Sequence, residues 1–199
     1  TTVGQTSGPF RIDHDEHYNQ TTHLQYDVQH GHARGAYFSF NWRFDSGQVA
    51  GQVPCYGTGP GNDCPLSTSL GGQPAIKLSG LTADQQFQAG LRCGSQVATP
   101  TQPLPAVCLA AQLTSSLVDI PAPGAENDDH NPPRIKPRNL FDISFGDDQL
   151  HKLGPGELTA HFTVINLANQ YALYNFLSTF SGTHYVTPRT LTGEVGFRF

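Results

Sequence analysis

Charge is scarce in this chain. Asp, Glu, Lys and Arg make up 14% of its 199 residues, well under the roughly 25% usual for soluble domains. Only three of them are lysines, no basic run occurs, and the formal net charge is -5. That balance argues against a nucleic-acid partner. No stretch approaches the ~18 consecutive apolar residues of a transmembrane helix. This leaves open a membrane barrel, whose strands give a far weaker hydropathy signal. Residues 1–10 show no signal peptide. For an exported protein the signal would lie upstream, and the chain is expected to be a mature piece or a fragment. Long helices are also disfavoured, because glycine (21) and proline (15) are plentiful.

What the chain does contain is alternation with period two, the mark of a strand with two unlike faces. In residues 37–45, Phe38, Phe40, Trp42 and Phe44 share one face; Tyr37, Ser39, Asn41, Arg43 and Asp45 share the other. Residues 139–145 align Phe141, Ile143 and Phe145 against Asp142 and Ser144. Residues 158–164 align Leu158, Ala160, Phe162 and Val164 against Thr159, His161 and Thr163. Residues 191–199 align Leu191, Gly193, Val195, Phe197 and Phe199 against Thr192, Glu194, Gly196 and Arg198. A weaker strand, first in chain order, spans 22–29 with Leu24, Tyr26 and Val28 in line.

The connections run short, long, short, long. The first passes through 30–35, the second through about 90 residues, the third through 147–157 with Gly154-Pro155-Gly156, and the fourth through 166–190. Bacterial outer-membrane barrels alternate short periplasmic turns with long extracellular loops in this way. The expected fold is therefore all-β: the antiparallel C-terminal strands of a transmembrane β-barrel, with one very long extracellular loop over 47–137. The whole of 1–199 belongs to that barrel segment in this reading. Its C-terminus is periplasmic, and Phe199 is its insertion signal. Five strands, or six if residues 10–18 form another, fall short of the eight at which such barrels begin. The missing strands are expected upstream.

The polar strand faces carry Arg43, Asp45, His161, Glu194 and Arg198, expected to face the lumen. A slip of one residue would turn Glu194 and Arg198 outward. In lipid an outward Arg costs roughly 2–4 kcal/mol at the midplane.

All four cysteines, Cys55, Cys64, Cys93 and Cys108, fall in the long loop. An even count fits disulfides in an oxidising compartment. Spacings of nine, 29 and 15 contain no C-x-x-C, which disfavours zinc. Three pairings are possible; Cys55 with Cys64 and Cys93 with Cys108 close the shorter loops. Thr82-Ala83-Asp84-Gln85 reads as a capping box, with Thr82 as N-cap, so one short helix is expected before Gly90 and Gly94. Elsewhere Pro100, Pro103, Pro105, Pro121, Pro123, Pro132 and Pro133 call for irregular chain with little core of its own.

Chemistry-bearing clusters are few. Asp13-His14-Asp15-Glu16-His17 offers carboxylates and imidazoles for a divalent ion, but a solvated rim is the preferred reading. Asn127-Asp128-Asp129-His130 lacks the spacing, glycine and distal Glu of a calcium loop. There is no G-x-S-x-G elbow, and Gly57-Thr58-Gly59-Pro60-Gly61 misses the spacing of a nucleotide loop. No catalytic residue, metal or cofactor is expected. Tyr171, Tyr174, Phe176, Phe180 and Tyr185 enrich the last long loop in aromatics, read as packing of that loop.

The last third resembles the end of a TonB-dependent outer-membrane receptor. The resemblance rests on Phe162-Thr-Val-Ile-Asn-Leu-Ala-Asn-Gln-Tyr171 and on Gly182-Thr-His-Tyr-Val-Thr-Pro-Arg-Thr-Leu-Thr-Gly-Glu-Val-Gly-Phe-Arg-Phe199. Together with Asp84-Gln-Gln-Phe-Gln-Ala-Gly90 and Asn131-Pro-Pro-Arg-Ile-Lys-Pro-Arg138, these resemble receptors of acidobacterial type with an Oar-like barrel. The resemblance implies a bacterial outer-membrane location and a barrel of about 22 strands with a plugged lumen. It also implies uptake driven by the TonB system and insertion guided by the last strand. The partners it implies are outer-membrane lipid, the barrel-insertion machinery, the TonB system through upstream regions, and a small-molecule, glycan or peptide ligand. Plug, TonB box and most of the barrel are missing here, so this chain alone is not expected to transport. Two rivals remain. One is a secreted β-sandwich binding module for a glycan or protein, stapled by disulfides. The other is a hydrolase with a metal at Asp13 to His17.

Overall fold

A computed structural model describes residues 14–51, 68–78, 80–121 and 132–199. In chain order its strands are β1 (Asn19–Asp27), β2 (Ala36–Asp45), β3 (Thr68–Leu70), β4 (Gln73–Lys77), β5 (Leu91–Cys93), β6 (Gln96–Val97), β7 (Val107–Leu109), β8 (Leu113–Ser115), β9 (Val118–Asp119), β10 (Arg134–Ile135), β11 (Arg138–Leu153), β12 (Gly156–Ile165), β13 (Leu173–Ser178), β14 (Gly182–Tyr185) and β15 (Thr190–Arg198). One α-helix, α1 (Ala83–Gln88), and one 3-10 turn at Ala110–Gln112 complete the described elements. The class is all-β, as the alternation predicts.

The chain forms two compact units. One comprises Tyr18–Ser46, Pro137–Tyr171 and Val186–Phe199; the other comprises Thr1–His17, Gly47–Lys136 and Ala172–Tyr185.

The first unit is a single sheet in the order β1-β2-β11-β12-β15, every neighbour antiparallel. These are the five strands expected from the sequence, in the expected order. The bounds differ. β1 starts at Asn19 and stops at Asp27, and β11 runs on to Leu153. The strand is bulged there: β11 advances from Asp147 to His151 while β12 retreats only from Ala160 to Leu158, and the ladder continues beyond. The period-two signal misses the extension because polar Asp147 and His151 stand opposite Ala160 and Leu158. Gly154 and Pro155 then turn the chain, with Gly154 at φ +61. A positive φ at the first central residue followed by proline is a type II′ turn, whose twist suits a hairpin. The β1–β2 hairpin closes with Val28 N–H donating to Ala36 O (2.9 Å) and Gly35 N–H to Val28 O (3.2 Å).

In the middle of the sheet, pairing sorts side chains into rows of one character. Leu24, Phe40, Ile143, Val164 and Leu191 form one row; Gln25, Ser39, Ser144, Thr163 and Thr192 form the next; Tyr26, Phe38, Phe145, Phe162 and Gly193 the one after. Both hairpin turns and the C-terminus lie at one end of this sheet. The start of β1, the end of β2, the start of β11, the end of β12 and the start of β15 all lie at the other. Strands β1 and β15 are its two edges, and among the described residues neither edge is paired further.

The second unit overturns the expectation of irregular chain with little core. Its strands build two three-stranded sheets, β3-β4-β7 and β6-β5-β8, and two pairs, β10-β9 and β13-β14. Ile76, Leu78, Leu91, Val118, Ile135, Leu173 and Phe176 form the centre of an apolar core. Strands of two to six residues are too short to announce themselves by alternation. The prolines behave as expected: Pro100, Pro103, Pro105, Pro121, Pro132 and Pro133 all lie outside strands, and Pro123 lies outside the described residues. The core also draws on β13, which the sequence places in a separate loop.

Cys93 and Cys108 are joined as expected, with their Cα atoms 6.0 Å apart. Since Cys93 ends β5 and Cys108 sits in β7, the bond ties the two three-stranded sheets together. Cys55 and Cys64 lie outside the described residues. The helix also forms as the capping box predicts: Gln85 N–H donates to Thr82 Oγ1 (3.2 Å) and Thr82 N–H to Gln85 Oε1 (2.9 Å). Gly90, at φ +65, follows its C-terminal end. Buried Gln86 clamps the neighbouring chain, donating to Leu81 O (3.1 Å) and accepting from Leu104 N–H (2.8 Å).

Candidate functional site: the polar face of the five-stranded sheet

Arg43, Asp45, His161, Glu194 and Arg198 all stand on one face of the five-stranded sheet. The register requires it: Arg43 pairs with Leu140, Asp45 with Arg138, His161 with Glu194, and Arg198 with Glu157. The structure thus gathers all five residues picked from the sequence on the face opposite the phenylalanines.

This face is held by polar contacts. Arg43 forms an ion pair with Asp142 at 3.0 Å, and Arg138 pairs with Asp45. Arg138 is only 3% exposed, so its partner matters: a buried charge without one is strongly destabilising. In the middle of the face, Ser144 Oγ lies 3.0 Å from Thr163 Oγ1 and 3.3 Å from the Tyr37 hydroxyl. The same hydroxyl lies 3.1 Å from Nδ1 of His161, whose Nε2 lies 3.5 Å from Asp148. Tyr37 and His161 approach closely because residue 146 is glycine. A Cβ there would meet His161 Nδ1 at 2.6 Å and Tyr37 Cε1 at 2.9 Å. On β1, Nδ1 of His23 lies 2.7 Å from Asn41 Oδ1.

The Asn-Leu-Ala-Asn stretch after β12 is a locked turn. Asn166 and Asn169 both have positive φ (52 and 50), the left-handed region that Asn tolerates better than most residues. The buried Asn166 side chain donates to Gln170 O (3.0 Å) and Thr187 O (2.9 Å) and accepts from Gln170 N–H (2.9 Å). Its backbone N–H donates to Asp142 (2.8 Å), so the turn also fixes the carboxylate that pairs with Arg43. Asn169 Oδ1 accepts from Arg189 N–H (3.0 Å) just before β15. Sequence reading had noted this stretch only as a resemblance. The asparagine spacing was the available signal.

The opposite face is mostly apolar and exposed in part, though Val164 on it is buried. Leu24 is 61% exposed, Phe38 48%, Phe145 48% and Val195 75%. Aromatic contacts run along it, including Phe40 with Phe141 and Phe145 with Phe162, at ring centroids 6.0 and 5.2 Å apart. Trp42 Nε1 donates to Asn139 Oδ1 (3.1 Å). Phe199, the expected insertion signal, follows β15 and packs edge-on against Phe197.

Most of the other candidates belong to the second unit. Asp15 bonds to Arg134, whose guanidinium also donates to the carbonyls of Asp15 (2.9 Å) and Gly47 (3.1 Å). Asp13, residues 127–130 and the glycine stretch 57–61 lie outside the described residues. Among the described residues, no group of three or more His, Cys, Asp or Glu is placed to hold a metal. The aromatics of the last loop divide: Phe176 and Tyr185 pack with the core of the second unit, whereas Tyr174 and Phe180 are exposed.

No family model, curated protein or solved structure matches the chain.

Proposed function

We propose that this chain is one end of an outer-membrane β-barrel that carries a solute across a bacterial outer membrane. The observation carrying this reading is an inverted sheet. Its polar face is knitted by hydrogen bonds and ion pairs, and its apolar face leaves Leu24, Phe38, Phe145 and Val195 exposed. In a water-soluble sheet the apolar face is the one that must be covered. In a membrane barrel the faces swap roles, with apolar side chains toward lipid and polar ones toward the lumen.

The apolar belt also descends across the sheet. Phe44 stands four residues beyond Phe40, whose row holds Leu191. Phe199 stands six residues beyond Gly193, whose row holds Phe38. From β2 to β15 the belt therefore falls by four residues at its upper end and six at its lower end, over three strand steps. A level belt on strands tilted by ~35–45° falls by about one to one and a half residues per strand, a drop of the same order.

Strand direction constrains what completes the barrel. Five strands, each antiparallel to the next, leave β1 and β15 running the same way. Pairing these edges with each other, or with the opposite edges of a second copy, would make a parallel seam. An all-antiparallel barrel needs an odd number of further strands between them.

Within this class the terminal motifs point to a TonB-dependent receptor with an Oar-like barrel. The chain then acts in transport rather than catalysis. Arg43, Asp45, His161, Glu194 and Arg198 line the passage, and Phe199 is read by the insertion machinery. The long connections, one of which carries Cys93 and Cys108, are extracellular in this reading and meet the ligand. TonB acts through upstream parts of the protein. The secreted sandwich would need a second sheet over Leu24, Phe38, Phe145 and Val195, and these are exposed. Purification with and without detergent tests the reading. Detergent-dependent solubility is expected; a detergent-free monomer with a cooperative melt would contradict it.

A further inference from the structure

Residues 168–188 contain no Asp, Glu, Lys or Arg, yet they hold Tyr171, Tyr174, Phe176, Phe180 and Tyr185. Phe176 goes into the core, and Tyr185 packs against it. Phe180 does the opposite. It stands between β13 and β14, 81% exposed. Leaving such a ring in water forgoes the gain from burying its apolar surface.

The chain around Phe180 is braced. Ser178 Oγ accepts from the N–H groups of Phe180 (3.2 Å) and Ser181 (3.3 Å). Asn175 Nδ2 donates to Ser181 Oγ (2.7 Å), and Asn175 Oδ1 lies 3.1 Å from His184 Nδ1. Leu177 N–H donates to Thr183 Oγ1 (3.1 Å), and Leu177 sits at φ +47. A bulky residue holds that conformation only where its surroundings enforce it, and such strain clusters at ligand sites. Beside Phe180, the His14 ring lies 6.4 Å away between centroids, and Ser181 and His184 are exposed.

We infer that the β13–β14 tip is a binding site for a neutral saccharide, with Phe180 as the stacking platform and Ser181, His184 and His14 as its hydrogen-bonding rim. The face of an aromatic ring is electron-rich and attracts the polarised C–H groups of a sugar ring. Sugar hydroxyls both donate and accept, so they can meet the imidazole nitrogen that His184 does not turn to Asn175 and a lone pair of Ser181 Oγ, whose own proton goes to Ser178 Oγ (3.2 Å) and which lies 3.5 Å from His14 Nε2. The hairpin supplies no formal charge to pair with the carboxylates of an anionic chelate or a peptide terminus. Rigid aromatics set among Ser, Asn and Gly also lose little entropy on binding. This ligand class rests on the receptor reading, in which the long connections meet the ligand first.

Calorimetric titration of the full chain tests it, in lauryldimethylamine oxide because glycosidic detergents would compete. The probes are maltohexaose, cellohexaose and chitohexaose, with ferric citrate as the charged counter-probe. At least one hexasaccharide is expected to bind. Phe180→Ala should weaken that binding by roughly tenfold or more, Phe180→Trp should retain it, and ferric citrate should give no heat. Near-UV dichroism of the variants checks that the unit stays folded. Silence from all three hexasaccharides, equal binding by Phe180→Ala, or binding of ferric citrate alone would overturn the inference. Solubility without detergent would instead sink the barrel reading and leave a positive saccharide result standing.

Discussion

The Tyr37 hydroxyl and Nδ1 of His161 lie 3.1 Å apart, on strands that are not neighbours. Between them runs β11, and Gly146 is the residue that lets the two rings meet. The pairing of a glycine with flanking rings pins the register of three strands at once, as aromatic cover of sheet glycines does elsewhere.

Gly146→Ala should therefore destabilise the sheet. Its Cβ would also meet Ala160 O at 2.6 Å, backbone that cannot move cheaply. A loss of about 1–3 kcal/mol is expected for such overpacking. Tyr37→Phe should cost less, about 0.5–1.5 kcal/mol for one hydrogen bond. Denaturant unfolding in detergent checks both, and the reverse order would contradict the register argument.

Asn166→Gly keeps the left-handed backbone accessible and removes three side-chain hydrogen bonds. Stability should fall by about 1–3 kcal/mol, because buried groups lose their partners. Asn166→Ala should fall further, by about another 1–2 kcal/mol, since alanine disfavours positive φ. Equal stability of the two variants would show that backbone conformation contributes nothing there.

Much of the sheet was legible because Phe38 to Phe44 and Leu191 to Phe199 alternate without interruption, and period two survives any loop between strands. The stretch 146–153 was not legible, because polar Asp147 and His151 hold register positions, opposite Ala160 and Leu158, that apolar residues fill elsewhere on that face. The second unit was illegible for another reason. Its core joins Leu91 and Val118 to Leu173 and Phe176, more than 50 residues further on, and nothing local announces such a meeting. Thr82, by contrast, was readable because a cap is decided within four residues. The five polar-face residues were found by parity alone. Their pairing with Asp142, Arg138 and Asp148 was not, since pairing depends on cross-strand register.

Loss of the Cys93–Cys108 bond should act on one unit only. Cys93→Ser with Cys108→Ser opens a loop of 15 residues, worth about 3 kcal/mol in chain entropy. Hydrogen exchange should quicken in β5 and β7 and stay unchanged in β2 and β11. Uniform acceleration across both sets would mean that the units do not fold separately.

Val195→Arg separates lipid from water. Val195 is already 75% exposed, so in water the change should lie within about ±0.5 kcal/mol. Facing lipid near the midplane it should cost roughly 2–4 kcal/mol. Glu194→Gln, one residue along and on the polar face, should be nearly neutral. Folding yield into vesicles for the two variants decides.

The most direct measurement uses Trp42, the chain's single tryptophan, which stands on the apolar face beside Phe40 and Phe44. Its fluorescence is recorded after folding into vesicles whose lipids carry bromine on the acyl chains. A membrane-facing sheet predicts blue-shifted emission that the brominated lipid quenches strongly. Unquenched emission in vesicles that have bound the protein would place this face away from lipid and contradict the barrel account.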